Sequence, residues 1–394
     1  MTTDTVAAAH PHGISGGMTF LMAAACGILA ANLYYAQPLI ALIGPDVGLS
    51  ESTASFVVTL TQVGYALGLF FLVPLGDVLR NRRLILIAIA ANIFSLALAA
   101  LVPNAIVFLV SAFLIGLTAS ACQMVIPIAA HMATDAARGR VVGNIMSGLL
   151  VGILLARPLA SLVAADFGWR GMFVLAIGMM VVLGGFLFQM LPERHPAAPL
   201  PYGKLIASLW TILRDSPVLQ RRTAYQTAMF ATFTLFWTAV PLELASDTFG
   251  LGQRGIALFA LAGAAGALAA PIAGRAADRG WSKTGTGLSM FLVFAGFALC
   301  LFGTWGSLAA LVVAGIGIDL GVQGNMVIGQ RAIYGLNPHM RSRINGIYIA
   351  IFFLGGAVGS AIASPVYSAF GWPGICIIGM AMPLAALAFY ATEK

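Results

Sequence analysis

Three ionisable side chains interrupt apolar stretches that are otherwise long enough to cross a membrane. They are Arg157, directly before Pro158, and the two carboxylic acids Glu243 and Asp319. A charge inside a bilayer is costly, so each of the three is a functional hypothesis by default. An arginine stays protonated and can hold an anion, whereas a carboxyl group deprived of water can exchange a proton near neutral pH. His131, near the end of another apolar stretch, is a further candidate.

The composition indicates that these charges lie in a membrane protein. The chain has 394 residues, of which 60% are hydrophobic and 8% charged, and its mean hydropathy is +0.96. A soluble protein of this length needs more charged residues at its surface. The net charge of +7 is spread over short loops, so we expect no nucleic-acid partner. The four cysteines stand in apolar runs without metal-ligand spacing, and we expect no metal, disulfide or cofactor.

Apolar runs near the roughly 20 residues that a bilayer requires recur along the whole chain. Lysine and arginine concentrate in alternate loops, which predicts that both termini are cytoplasmic. We predict an all-α integral membrane protein with twelve transmembrane helices, at residues 18–43, 54–76, 84–101, 104–132, 140–165, 170–191, 223–247, 254–277, 284–304, 306–331, 342–367 and 372–391.

An internal repeat divides the chain into two halves. Three pairs of motifs share an offset of 203 residues: Arg138-Gly139-Arg140 with Arg341-Ser342-Arg343, Phe167-Gly168-Trp169 with Phe370-Gly371-Trp372, and Pro38-Leu39 with Pro241-Leu242. We therefore expect a cytoplasmic N-terminal tail at 1–17, a six-helix half at 18–191, a cytoplasmic linker at 192–222 and a second six-helix half at 223–394. Within the linker, helical apolar spacing from Leu205 to Leu213 suggests either a helix on the membrane surface or a plain solvated segment.

The repeat is also an internal control for the three charges. At the same offset, the counterparts of Arg157, Glu243 and Asp319 are Ser360, Ile40 and Gly116. A repeated architecture therefore does not need a charge at any of these places, which favours a specific role for each of them.

Several motifs resemble those of the major facilitator superfamily. The segment from Gly76 to Arg83 and the segment from Gly274 to Gly280 resemble the two copies of its loop motif, although the first lacks the usual glycine between the aspartate and the basic pair. The pattern Gly143, Gly148, Gly152 and Pro158 is similar to the antiporter motif of the drug:proton antiporter branch, with Arg157 in place of the glycine before the proline. The segment from Asn32 to Leu39 resembles a bacterial efflux-type subgroup. This resemblance implies the major facilitator fold, alternating access, and a substrate site between the halves.

The resemblance also implies a gate at the cytoplasmic ends of the helices. Asp77 would lie against the start of span 11 and Asp278 against the start of span 5, while Asp135 could pair with Arg82 or Arg83. The alternative is that these charges only anchor loops. The predicted gating residues are Asp77, Arg82, Arg83, Asp135, Arg140, Asp278, Arg279, Arg341 and Arg343.

Spans 1, 4, 7 and 10 line the cavity in the resembling family. We predict that Asp319 and Glu243 couple transport to protons, although Asp319 could instead be locked to a backbone or arginine partner. Arg157 could bind substrate or could only clamp helices together. We expect Asn92 to form an interhelical hydrogen bond. The predicted substrate-binding residues are Arg157, Asn32, Tyr34, Tyr35, Gln37, Gln123, Trp237, Gln323 and Asn325.

These patterns favour a transporter over an enzyme, because the sequence contains no paired carboxylates, catalytic triad or phosphate-binding loop. We expect a monomeric secondary transporter of the bacterial inner membrane, whose partners are protons, the lipid bilayer and a small-molecule substrate. Proton-coupled efflux of a small polar or amphiphilic molecule is the first expectation. Proton-coupled uptake, or a membrane receptor built on the same fold, is the alternative.

Overall fold

The computed structural model describes residues 14–101, 104–134, 136–193, 201–263, 275, 279, 281–336 and 340–393, and the regular structure within these ranges is helical. The helices, numbered in chain order, are α1 Gly16–Ala31, α2 Ile40–Val47, α3 Phe56–Leu67, α4 Asn81–Leu101, α5 Ala105–Ala119, α6 Cys122–Met132, α7 Arg138–Met190, α8 Tyr202–Asp215, α9 Pro217–Ala245, α10 Gln253–Gly263, α11 Ser282–Cys300, α12 Leu308–Tyr334 and α13 Arg341–Tyr390.

Eight helical segments in the described part of the chain are long and apolar enough to cross a membrane. Two of them, α7 with 53 residues and α13 with 50, each cover two of the spans predicted from sequence. At about 1.5 Å per residue, a straight helix of 53 residues would be about 80 Å long, far more than a bilayer core of about 30 Å. Both bend at a glycine with positive φ, Gly168 at φ 70° and Gly371 at φ 62°, a conformation that glycine adopts without steric cost.

The first predicted span is also divided. Helix α1 ends at Ala31, and after a series of turns the chain resumes as a short 3-10 helix, Gln37–Leu39, and α2. The eighth predicted span begins as α10 and then continues into residues outside the described ranges. The count of twelve spans therefore stays a prediction.

Close helix contacts depend on glycine at the crossing of α3 and α5. A Cβ atom at Gly116 would lie 1.9 Å from the carbonyl oxygen of Thr61, and one at Gly64 would lie 2.1 Å from the carbonyl oxygen of Phe113. The two backbones therefore touch directly, which is the packing that small residues permit in membranes.

The linker helix α8 marks one end of the bundle, which we call the linker end. Leu205 and Leu209 are buried, whereas Trp210 is 68% exposed, so the predicted amphipathic helix is present. The hydroxyl of Tyr202 donates to the carbonyl oxygen of Phe71, 2.8 Å away, and ties α8 to the segment that follows α3.

The other end of the bundle, which we call the opposite end, contains the bend at Gly168. Here Asp46, just before the end of α2, accepts hydrogen bonds from the Trp169 indole at 2.8 Å and from Arg170. The hydrogen bond from Trp169 and the one from Arg170 lower the pKa of the Asp46 carboxyl group. This cluster, in which Trp169 is buried and Asp46 is exposed, fastens the end of α2 to the bend in α7.

We predict that Gly116→Ala destabilises the protein, because the new methyl group would collide with the backbone of α3. Overpacking of this kind costs about 1–3 kcal/mol. Thermal denaturation of the purified protein measures the effect. Gly178→Ala is the matched control, since a Cβ atom at this helical glycine meets no atom within 4 Å. Equal melting temperatures for the two variants would contradict the proposed contact.

Candidate functional site

Arg157 lies in the interior of the bundle on the first limb of α7, the part before Gly168. Its side chain is only 6% exposed. The Nε atom donates a hydrogen bond of 2.7 Å to Oε1 of Gln37, on the 3-10 helix that follows α1. Gln37 in turn donates through Nε2 to the hydroxyl of Thr238 on α9, at 3.1 Å. One chain of hydrogen bonds thus joins residues before the linker helix to residues after it.

Three aromatic rings surround the guanidinium group of Arg157. Its Cζ atom lies 4.9 Å from the ring centroid of Tyr34, 5.1 Å from that of Phe233 and 4.6 Å from that of Trp237. Such distances permit cation–π attraction, which is strongest when water is excluded. The Nη2 atom is nevertheless buried without a hydrogen-bond partner. A buried donor of this kind is unfavourable unless something binds to it.

Asp319, on α12, is the acidic group of this site. It is 7% exposed, and its Oδ1 atom accepts a hydrogen bond of 2.7 Å from Nε1 of Trp237. Arg157 and Asp319 do not form an ion pair within 4 Å, as judged from the ion pairs of the described residues. The two charges nevertheless interact electrostatically over a longer distance. Trp237 therefore touches both groups, with its ring face toward Arg157 and its N–H toward Asp319.

Two further polar pairs lie between helices inside the bundle. Asn325 donates to Gln226 at 2.7 Å, and Asn32 donates to Asn92 at 2.9 Å. Asn92 also donates to Thr118 at 2.8 Å, which confirms its expected interhelical role. The Nε2 atom of Gln226 and the Oδ1 atom of Asn32 are buried without a hydrogen-bond partner.

A cavity of about 370 Å³ opens at the linker end, within the size range of small-molecule sites. Helices from before and after the linker form its walls, and Leu205 and Leu209 of α8 contribute to them. Its polar lining consists of Asp77, Asn81, Gln123, Ser342 and Arg343.

A chain of aromatic contacts through Tyr65, Phe353 and Phe230, which we call the aromatic partition, runs from the wall of this cavity toward Arg157. The ring centroids of Tyr65 and Phe353 are 4.5 Å apart, and those of Phe353 and Phe230 are 4.8 Å apart. Phe230 also stacks on Phe233, which borders the guanidinium group. Gln123, which lines the cavity, donates to the Tyr65 hydroxyl at 3.2 Å. The partition thus links the cavity wall to the site of Arg157.

Beyond Arg157, the opposite end of the bundle is closed by hydrogen bonds between α13 and the start of α3. The backbone N–H of Ser55 donates to the hydroxyl of Ser364 at 3.1 Å, and the Thr59 and Ser360 hydroxyls are 3.1 Å apart. A void of about 10 Å³ lies beside Arg157 and Trp237 on this side. It has room for about one water molecule.

The structure brings together five of the residues predicted for the site, namely Arg157, Tyr34, Gln37, Trp237 and Asp319. Gln123 borders the linker-end cavity instead, and Asn32 and Asn325 bind other amides. Tyr35 is buried in the core, and Gln323 is half-buried on α12. Glu243 accepts a hydrogen bond of 2.9 Å from Tyr367 rather than contacting Arg157.

The sequence prediction missed Phe233 and the three aromatic residues of the partition. The spacing of Phe230, Phe233 and Trp237, at intervals of three and four residues, places them along one face of α9. This spacing could have indicated that α9 presents an aromatic face to the site.

Among the predicted gating residues that the structure describes, no two form an ion pair, and the gate stays a prediction. Asp77 and Arg343 line the same cavity, but no ion pair joins them among the described contacts. Arg82 donates to the carbonyl oxygen of Phe188 and Arg341 to that of Tyr334. Arg83, Arg140 and Arg279 are exposed, while Asp135 and Asp278 lie outside the described residues.

We predict that Phe353→Ala opens the aromatic partition and exposes the thiol of Cys122, which lies 3.6 Å from the Tyr65 hydroxyl. N-Ethylmaleimide should then label Cys122 several times faster, as measured by mass spectrometry of peptides. Cys300 is the internal control, because it is buried elsewhere, beside Trp372. Faster labelling of both thiols would indicate general unfolding, and an unchanged rate at Cys122 would show that Phe353 does not hold the partition closed.

Comparison with known proteins identifies the family. The chain is 38% identical to an uncharacterized transporter, YgaY, of Escherichia coli O157:H7, over 95% of each chain. It is 31% identical to the probable transporter SCO4007 of Streptomyces coelicolor, over 93% of this chain and 86% of that protein. A crystal structure of a variant of the nucleoside transporter NupG superposes with a TM-score of 0.75 at 13% identity, over 95% of this chain and 100% of that one. The family model of the Major Facilitator Superfamily matches residues 19–318 and again 223–394. The chain is thus a multi-pass membrane transporter and belongs to the Major Facilitator Superfamily.

Proposed function

We propose that this protein is a secondary transporter of the bacterial inner membrane that moves a small anionic or strongly polar molecule by alternating access, coupled to protons. Its twelve spans form two six-helix halves with cytoplasmic termini, and it works as a monomer. The internal repeat and the bends at Gly168 and Gly371, which are one repeat apart, support this arrangement.

The observation that carries the proposal is the buried, unpartnered Nη2 atom of Arg157. A guanidinium group presents donors in a planar fork that suits carboxylate or phosphate oxygens. The ring faces of Tyr34, Phe233 and Trp237 hold this fork in place, and Gln37 fixes its Nε side. An anionic part of the substrate would satisfy both the free donor and the charge.

The described conformation corresponds to an inward-facing state. The positive loops predict that the linker end is cytoplasmic, and the cavity of about 370 Å³ lies at that end. Substrate would move between this cavity and Arg157 when the aromatic partition opens. The hydrogen bonds of Ser55 and Thr59 to α13 would break when the opposite end opens.

Asp319 is the proposed proton carrier, because it is buried beside the substrate site and has one oxygen bonded to Trp237. Glu243 is the second candidate and is held by Tyr367.

The direction of transport separates two candidate functions. The glycine pattern of span 5 resembles the drug:proton antiporter branch, which supports efflux. However, a Cβ atom at Gly148 or Gly152 would lie 2.5 or 2.2 Å from carbonyl oxygens of α1, so these glycines also serve helix packing. The arrangement of Arg157 and Asp319 favours the second candidate, proton-coupled uptake.

Substitution of Arg157 tests the substrate site. A thermal-shift screen of small anions and polar molecules on the purified protein would first supply a ligand. Lysine keeps the charge but loses the planar fork, and glutamine loses the charge. We expect Arg157→Lys and Arg157→Gln to fold, with affinity reduced about tenfold or more, because a hydrogen bond to a charged group contributes about 1.5–3 kcal/mol. A collapse of thermal stability with unchanged affinity would instead make Arg157 a helix clamp.

Asp77→Asn tests the proposed gate. If Asp77 pairs with the start of α13 only when the linker end closes, its loss should shift the population toward the open state. Distances between spin labels at the linker ends of α3 and α13 should lengthen on average. Glu51→Gln, at an exposed site of the opposite end, is the control and should leave the distances unchanged. An unchanged distribution for Asp77→Asn would leave Asp77 as a loop anchor.

A further inference from the structure

Arg157 and Asp319 are the charged groups that face each other at the centre of the described structure. Arg157, from α7, has Asp319 and the phenol of Tyr34 as its electrostatic neighbours. Asp319, from α12, has Arg157 as its charged neighbour and Trp237, from α9, as its hydrogen-bond donor. Glu243, further along α9, is bonded to Tyr367. The total charge of this site therefore depends on Arg157, on Asp319 and on whatever binds there.

The charge of the site has a simple consequence in a medium that excludes water. With no ligand and Asp319 ionised, the positive and negative charges balance. With an anion on Arg157, the same site carries a net negative charge unless Asp319 takes up a proton. A net buried charge is strongly unfavourable, so the two neutral states are favoured: the empty site with ionised Asp319, and the anion-bound site with protonated Asp319.

We propose that the anion at Arg157 and the proton at Asp319 bind together and cross the membrane together, so that transport is electroneutral symport. Trp237 links the two sites physically, since one indole ring borders the guanidinium group and donates to the carboxylate. Its position is constrained, because Phe236 and Phe259 pack against the ring and Gly263 leaves room for it.

The opposite coupling is disfavoured by the same geometry. Antiport of an anion against a proton requires an empty site with protonated Asp319 in one direction and an anion beside ionised Asp319 in the other. The first state carries a buried positive charge and the second a buried negative charge. This inference rests on the proposed function, because it requires an anion at Arg157.

Calorimetric titration of the purified full-length protein tests the linkage. The probes are acetate, lactate, benzoate and methanesulfonate, which stay ionised at both pH values, each titrated at pH 6 and pH 8 in two buffers of different ionisation enthalpy, which counts the protons taken up by the protein. We expect at least one probe to bind about tenfold or more tightly at pH 6, within the usual range of coupling between sites. At a pH near the midpoint of this change in affinity, the protein should take up about one proton for each anion that binds.

Asp319→Asn mimics the protonated carboxyl group and should bind the same probe equally well at both pH values, without proton uptake. Asp215→Asn removes an exposed carboxylate of the linker helix and should behave as the unmodified protein does. Arg157→Gln should bind the same probe about tenfold or more weakly at both pH values, which shows that the probe binds at Arg157.

Two results would overturn the proposal in different ways. Binding that requires Arg157 but is independent of pH, or that releases protons, would refute symport and leave the substrate site intact. If none of the four probes binds to the protein or to Asp319→Asn at either pH, the anion site itself is wrong, and the proposed function fails together with this inference.

Discussion

The structure is organised around one buried cation that, among the residues the structure describes, has no carboxylate in contact with it. Arg157 is enclosed by aromatic ring faces, bonded through Nε to Gln37, and left with an unpartnered Nη2 atom. Such a charge costs several kcal/mol of desolvation when it is not paired closely. The surrounding rings, the amide of Gln37 and the more distant Asp319 offset part of this cost. In the proposed function, the remaining part of this cost favours a negatively charged occupant.

The layers around Arg157 keep this charge away from bulk water. Toward the linker end, the rings of Tyr65, Phe353 and Phe230 pack in series on the route that we propose from the open cavity to the guanidinium group. Toward the opposite end, the backbone N–H of Ser55 donates to the Ser364 hydroxyl, and the Thr59 and Ser360 hydroxyls pair, which joins the start of α3 to α13. Exclusion of water strengthens electrostatic interactions, so closure on both sides is the condition under which the protonation of Asp319 and the occupancy of Arg157 influence each other most. In the proposed mechanism, access and coupling therefore depend on the same aromatic side chains.

Sequence reasoning could find the site but not its internal contacts. Arg157 and Asp319 stood out because charges are rare in apolar spans, and the repeat showed that the architecture does not require them. Tyr34, Gln37 and Trp237 followed from their spans. The partition was not predictable, since Tyr65 and Phe353 are nearly 300 residues apart and an aromatic residue within an apolar span is more often a packing residue.

The helices themselves show the same limit. Apolar length predicted helices that are long enough to cross a membrane, and the spacing in the linker offered a surface helix as one of two alternatives. Periodicity did not predict that the first span breaks after Ala31, because the backbone there turns to bring Tyr34 and Gln37 to Arg157. Nor did it predict that Asn32 would bind Asn92 rather than line a cavity. Both outcomes depend on contacts between helices that are distant in sequence.

The central claim is that Arg157 and Asp319 load an anion and a proton together. Flux of a small carboxylate into proteoliposomes tests this claim most directly. The measurement compares an acid-outside pH gradient at zero membrane potential with a potassium diffusion potential at equal pH. Electroneutral symport predicts that the carboxylate accumulates inside under the pH gradient faster than in proteoliposomes of Arg157→Gln, and does not respond to the potential alone. Expulsion of the carboxylate under the pH gradient, or flux driven by the potential alone, would contradict the account.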